Sequence, residues 1–170
     1  FFLHLMEERK LSASTVRVHL NGIRFFYERT LGRHWEVFDM IQPRRGLRLP
    51  VVLSRQEVRQ VLFAVHNEPA KTALTLIYGC GLRVMETTRL QVRDIDSARM
   101  LLHVRGGKGN KDRCVPLPQR LLERLREWWR QERPRPWLFP GLAQQPISPT
   151  LLQKTLKAAV RDCGLTKNAT

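Results

Sequence analysis

The chain has 170 residues, 42% of them hydrophobic, which supplies a real core for one domain or one and a half. Thirty Lys and Arg against fifteen Asp and Glu leave a formal charge of +15, which points to a polyanionic partner, nucleic acid ahead of an anionic membrane surface. No apolar run reaches the roughly eighteen residues of a spanning helix, no secretory cleavage pattern follows residues 1–6, and three scattered cysteines without a C-x-x-C suit a reducing, cytoplasmic setting with no metal site.

Residues 1–8 read as the tail of a helix, and residues 11–14 as a break with Ser12 or Ser14 available as the next N-cap. From residue 15 to 29, Val16, Leu20, Ile23 and Tyr27 recur at helical spacing, with Phe26 widening the stripe. Arg17, Arg24 and Arg29 fall off that stripe, either as a charged solvated face or as phosphate contacts. Residues 34–53 form the connector, with Pro43, Gly46 and Pro50 spaced among Arg44, Arg45 and Arg48. Its basic linker, residues 41–53, is expected to lie along phosphates. Trp35, Val37 and Phe38 read as a small packing cluster rather than as stacking groups for bases.

A second domain, residues 54–170, opens with a capping box of Ser54 and Glu57, followed by a helix with Val58, Val61, Leu62 and Val65 on one face. Pro69 starts an apolar helix that Gly79 and Gly81 bring to a stop, with the Tyr78 hydroxyl expected to be buried. A short helix over residues 83–89 then places Arg83 at its start. Glu86 and Thr87, three and four residues on, can hydrogen-bond back and fix the guanidinium, an arrangement suited to a planar oxyanion. By composition alone the same residues also read as an ordinary ion pair at a helix end.

Residues 100–104 and 112–117 form a hairpin whose turn, GGKGNK, carries Lys108 and Lys111 on a glycine-rich tip. It is not a nucleotide-binding loop, because Lys108 is followed by Gly109 and a strand instead of by Ser or Thr and a helix. An amphipathic helix follows over residues 119–131, through Leu121, Leu122, Leu125, Trp128 and Trp129. The two adjacent tryptophans cannot share one face, so one is expected in the core and the other at an interface. In the final helix Ser148 caps, Pro149 starts, and Leu152, Thr155, Leu156, Ala159, Val160 and Cys163 point inward, with Gly164 as the stop. Lys154, Lys157 and Arg161 share another side, as solubility charge or as a phosphate ridge.

Taken in order, GLRVME, LQVRDID, a strand and GGKGNKDRCVPLP resemble the front half of the catalytic domain of tyrosine site-specific recombinases, the family of phage integrases, Xer-type enzymes and integron integrases. The resemblance implies a mainly α fold with a small β-hairpin or sheet. Residues 1–40 would be the end of a helical, SAM-like core-binding domain, residues 41–53 the linker, and residues 54–170 the first part of a mixed α+β catalytic domain. It also implies strand cleavage and rejoining of duplex DNA through a 3′-phosphotyrosine intermediate, without cofactor or metal, by a homotetramer on paired sites. Within that scheme Arg83 is the first catalytic arginine, Glu86 its support and Lys108 the general acid to the leaving 5′ oxygen. Lys111, Arg113, Arg44, Arg45, Arg17 and Arg24 would be contacts to the DNA backbone.

The family pattern continues with His-x-x-Arg, a further His or Trp, and a nucleophilic tyrosine, none of which is present in these 170 residues. The only tyrosines are Tyr27 and Tyr78, and neither has the family's context. The chain is therefore expected to be an internal fragment, inactive by itself, of a recombinase of the phage- or Xer-like kind. The alternative is a non-catalytic DNA-binding protein that retains the fold.

Overall fold

The structure, a computed structural model, describes residues 1–40, 52–107, 109 and 111–167. Arg44, Arg45 and Lys108 lie outside the described residues. Backbone contacts divide the chain into two units, Phe1–Pro50 and Val51–Thr170.

The first unit is helical. Helix α1 (Phe2–Glu7) and helix α2 (Ala13–Phe25) meet across a turn in which Ser12 is the N-cap, its hydroxyl accepting the Thr15 N–H at 3.2 Å. Val16 and Leu20 are buried on the expected stripe. Beyond Phe25 the helix widens into a π turn, Phe26–Thr30, in which the Leu31 N–H reaches the Phe26 carbonyl at 3.2 Å. That wider turn shifts the stripe, so Phe26 is exposed where the helical period would bury it. Helix α3 (Val37–Met40) closes the unit, and Trp35 and Phe38 pack on Tyr27 with ring centroids 5.6 Å apart in both cases. The packing role read for Trp35 and Phe38 therefore holds.

In the second unit, helix α4 (Arg55–Ala64) opens with the Ser54–Glu57 capping box. Helix α5 (Glu68–Cys80) is capped by Asn67, whose side chain accepts the Ala70 N–H at 2.9 Å, and carries a proline in its first turn. It buries Ala70, Thr72, Ala73, Leu74 and Leu76. It is the central helix because it packs on α4 and on two later helices, α7 (Gln119–Glu132) and α8 (Pro149–Asp162). Gly81 ends it in the left-handed region at φ +63°, a conformation that a side chain would strain. The next residues form helix α6 (Val84–Thr88) with Arg83 as its N-cap.

The hairpin is part of a three-stranded antiparallel sheet, β1 (Ile95–Asp96), β2 (Leu101–Val104) and β3 (Arg113–Pro116), in that order. Leu102 pairs with Val115 and His103 with Cys114. Alternation puts Leu102 and Val104 into the core. Leu138 joins this core by lying beside Leu90, donating its N–H to the Leu90 carbonyl at 2.8 Å. Of the two tryptophans, Trp128 is the core residue and donates its ring N–H to the Leu138 carbonyl at 2.8 Å. Trp129 is half-buried, with the Arg133 guanidinium 4.2 Å from its ring. Tyr78 departs from expectation: it is 56% exposed, on the side of α5 away from the core. Ser148 precedes α8 without a side-chain capping bond. Among the described residues no helix is long and apolar enough to cross a membrane.

Candidate phosphate-binding site

Arg83 stands where α5 has ended and α6 begins. The Gly81 turn brings its backbone N–H within 2.8 Å of Glu86 Oε2, as expected for a carboxylate in the third position of a helix. Its guanidinium Nη1 donates to Glu86 Oε1 at 2.9 Å. The Thr87 hydroxyl donates to the Arg83 carbonyl at 3.2 Å, so Thr87 fixes the backbone and not the guanidinium. The result is an exposed cation on a buried anion: the Glu86 side chain is 5% exposed and that of Arg83 58%.

Glu86 has a second partner 27 residues away. Arg113, on β3, donates Nη1 to Oε1 at 2.5 Å and Nη2 to Oε2 at 2.8 Å, a bidentate pair. The resemblance makes Arg113, with Lys111, a contact to the DNA backbone; in the structure its guanidinium is turned onto Glu86. The signal for this was strand alternation, since Arg113 shares a face with Val115 and Leu117, and a charge pointing inward requires a counter-charge. The Arg113 hydrogen bonds first, and then those from Arg83, hold the Glu86 carboxyl at about 2, while burial pushes the other way. The same pairing raises Arg113 above its ordinary value.

A parallel arrangement lies beside it. Asp94, buried in the 3₁₀ turn Val92–Asp94, accepts the Gln91 N–H at 2.9 Å and Arg105 Nε at 2.7 Å. Arg83, Arg89 and Arg105 line one hollow of about 250 Å³ together with Gly106 and Gly107. Arg105 and Arg89 were not singled out from the sequence, because nothing local relates Arg105 to Asp94. On the other side of Arg83, an open cleft of about 630 Å³ is lined by Gly81, Arg83, Lys111, Asp112 and Arg113. The hairpin over it is drawn tight by Gly106, whose N–H meets Asp112 Oδ1 at 2.8 Å. At Gly107 an added Cβ would lie 2.9 Å from the Lys111 carbonyl oxygen, so only glycine fits that close approach.

The structure thus brings Arg83, Glu86, Lys111 and Arg113 together. In the first unit, Arg24 is engaged by acids, with Nε on Glu28 at 2.7 Å and Nη1 on Asp39 at 3.0 Å. Arg17 is half-buried on α2. Among the described residues no three His, Cys, Asp or Glu side chains are placed to hold a metal ion.

A pH dependence follows from Glu86. Its carboxyl titrates near 4.5 when unperturbed and at about 2 in the fold. A depressed carboxyl stabilises the fold fully above the unfolded value and loses that contribution as pH falls through the folded one. Stability should therefore decline between about pH 4.5 and 2. Such a shift corresponds to roughly 3 kcal/mol, and solvent screening around the exposed arginine heads reduces the expected effect to about 1–2 kcal/mol. Denaturant unfolding at pH 5 and at pH 2.5 should differ by that much less in Glu86→Gln than in the wild type.

Comparisons with known proteins bear on the family of the chain. The model of the phage integrase family matches residues 51–170, and that of the phage integrase N-terminal SAM-like domain matches residues 1–37. The integrase/recombinase y4eF of Sinorhizobium fredii is 41% identical over 140 residues, covering 82% of this chain and 56% of the relative. An integrase/recombinase of Escherichia coli is 39% identical over 137 residues, covering 76% of this chain and 40% of the relative. The chain spans about half the length of the curated relatives it matches. In fold it is similar to a lambda integrase tetramer bound to a Holliday junction, with a TM-score of 0.78 at 14% identity over 97% of this chain and 49% of the other. XerA recombinase aligns at a TM-score of 0.62 and 21% identity, over 99% of this chain and 61% of the other. With a family match over most of its length and relatives near 40% identity, the chain belongs to the tyrosine recombinase, or phage integrase, family.

Proposed function

We propose that the protein acts in site-specific DNA recombination, by cleaving and rejoining strands through a 3′-phosphotyrosine intermediate. The observation that carries this is an exposed Arg83 guanidinium seated on buried Glu86 at the edge of a basic cleft that includes Lys111. Arg83 clamps a non-bridging oxygen of the scissile phosphate and stabilises the charge that develops in the pentacoordinate transition state. Lys108, on the glycine-rich hairpin tip, protonates the leaving 5′ oxygen. Glu86 orients Arg83, and Lys111 holds the flanking backbone. Arg105 and Arg89 extend the same cationic hollow.

In this reading residues 1–40 are the end of a helical core-binding module, residues 41–53 a basic linker that runs Arg44 and Arg45 along phosphates, and residues 54–170 the first part of the catalytic module. The two family matches support that division. In this reading the nucleophilic tyrosine is supplied from outside these 170 residues, because Tyr27, held in an aromatic cluster, and Tyr78, exposed on α5 five residues before Arg83, both lack the sequence context of the family's nucleophile. In this reading the assembly on DNA is a homotetramer on paired sites; the lambda integrase of similar fold is a tetramer bound to a Holliday junction.

Formation of a covalent protein–DNA adduct on a nicked substrate tests the chemistry. Binding tests the surface: the 170-residue chain should bind duplex DNA with a log–log salt slope of several units, each phosphate contact contributing about 0.9. Lys111→Ala should lower that slope by about 1 without changing sequence preference. Fluorescence anisotropy at two salt concentrations reads it, and binding that is absent or independent of salt ends this reading.

A further inference from the structure

We propose that Arg113 is a positioning residue that balances the charge of Glu86, leaving the Arg83 guanidinium free to take a phosphate oxyanion. The identity of that oxyanion rests on the recombinase reading above; the division of labour between the two arginines does not.

The hydrogen bonds assign the roles. Glu86 Oε1 receives Nη1 of both arginines, and Oε2 receives Arg113 Nη2 and the Arg83 backbone N–H. The two-pronged pairing therefore belongs to Arg113, whereas Arg83 commits a single guanidinium nitrogen to the carboxylate. Arg113 is the more enclosed of the two, its side chain 34% exposed against 58% for Arg83. One carboxylate shared by two guanidiniums leaves the trio with one net positive charge, carried at its exposed end on Arg83. Without Arg113, the buried carboxylate would have Arg83 as its only cationic partner among the described residues and would draw it into a neutral pair. The trio is also tied to the hairpin: a Cβ added at Gly107 would lie 3.3 Å from Arg113 Nη1 and 3.4 Å from Glu86 Oε1. The chain leaving β2 thus approaches this ion pair at Gly107, and Arg113 ties β3 to the α6 start that carries Arg83.

The test uses adduct formation by the complete recombinase on a nicked duplex, and titration of Glu86 in the 170-residue chain. Arg113→Met should slow adduct formation about tenfold to a hundredfold, the range for losing a group that orients a reactive one, while duplex affinity changes far less. Adding Glu86→Gln should return part of that rate, because it removes the carboxylate left unbalanced; it also removes the buried charge that could prevent the single variant from folding. A purely structural bond between β3 and α6 predicts no recovery. In the 170-residue chain, carbon-detected NMR should find the Glu86 carboxyl moving up further in Arg113→Met than in Arg83→Ala. Arg113→Met at the wild-type rate, or a double variant no faster than Arg113→Met, overturns the proposal. If the wild-type protein forms no adduct, the recombinase reading fails and the titration alone decides: a Glu86 that moves as far in Arg83→Ala as in Arg113→Met overturns the proposal.

Discussion

Complete recombinase carrying Arg83→Ala is expected to leave no detectable protein-linked DNA on a suicide substrate nicked beside the scissile phosphate, and Lys108→Ala is expected to leave very little. Removing one charge-stabilising donor costs on the order of 3 kcal/mol in the transition state, a hundredfold or more in rate. Arg83 is more than one neutral donor, because Glu86 holds it from behind and its exposed face is pre-oriented before substrate arrives. Loss of a general acid slows proton transfer by about 10²–10⁴-fold. The nick lets the short leaving fragment diffuse away, so an adduct once formed accumulates on a denaturing gel. The 170-residue chain should form none. An undiminished adduct in Arg83→Ala would remove Arg83 from the active site. An adduct formed by the 170-residue chain would make Tyr27 or Tyr78 a nucleophile, and its loss in Tyr78→Phe would say which.

Phe139→Ala should destabilise the second unit by about 3–5 kcal/mol, the usual cost of emptying a buried aromatic site. Phe139 is fully buried, its ring lies 6.3 Å from that of Trp128, and its carbonyl accepts the Ile147 N–H at 2.9 Å. The cavity would open where α7, the segment carrying Leu138 and the approach to α8 meet, and the backbone hydrogen bond on that segment keeps it from collapsing. Small domains are stable by about 5–15 kcal/mol in all, so this single change removes a large share. Urea unfolding followed by tryptophan fluorescence reads the loss, with Leu142→Ala as the comparison. Leu142 is 92% exposed, and its truncation should stay within about 0.5 kcal/mol of wild type. A Phe139→Ala midpoint equal to that of Leu142→Ala would show that the core is not organised around this ring.

Much of the site was legible because its first half is local. Arg83 and Glu86 are three residues apart, and a carboxylate in the third helical position reaches the N-cap N–H whatever surrounds it. The capping box at Ser54, the Asn67 cap with Pro69 in the following turn, and the Gly81 stop depend on the same short-range geometry. The hairpin was legible from alternation and glycine. The third strand was not: Ile95 and Asp96 are two residues long, and they pair only because β2 turns back onto them. Phe26 and Tyr78 depart from expectation for different reasons. Burial is expected at Phe26 from helical period, which the π turn shifts, and at Tyr78 from the apolar composition of α5, which does not say which side of the helix is packed.

From the sequence alone came the charge that calls for a polyanion, the order of helices and hairpin, and the pairing of Arg83 with Glu86, since each is set by composition or by contacts within one turn. The tertiary structure alone decided that Glu86 belongs also to Arg113 and that Asp94 holds Arg105, across 27 and 11 residues of chain. The reason is electrostatic as well as geometric. A carboxylate taken out of water must be matched by cations, and which arginines can reach it is known only after β3 has been laid beside β2 and the Gly107 approach has brought the hairpin over α6.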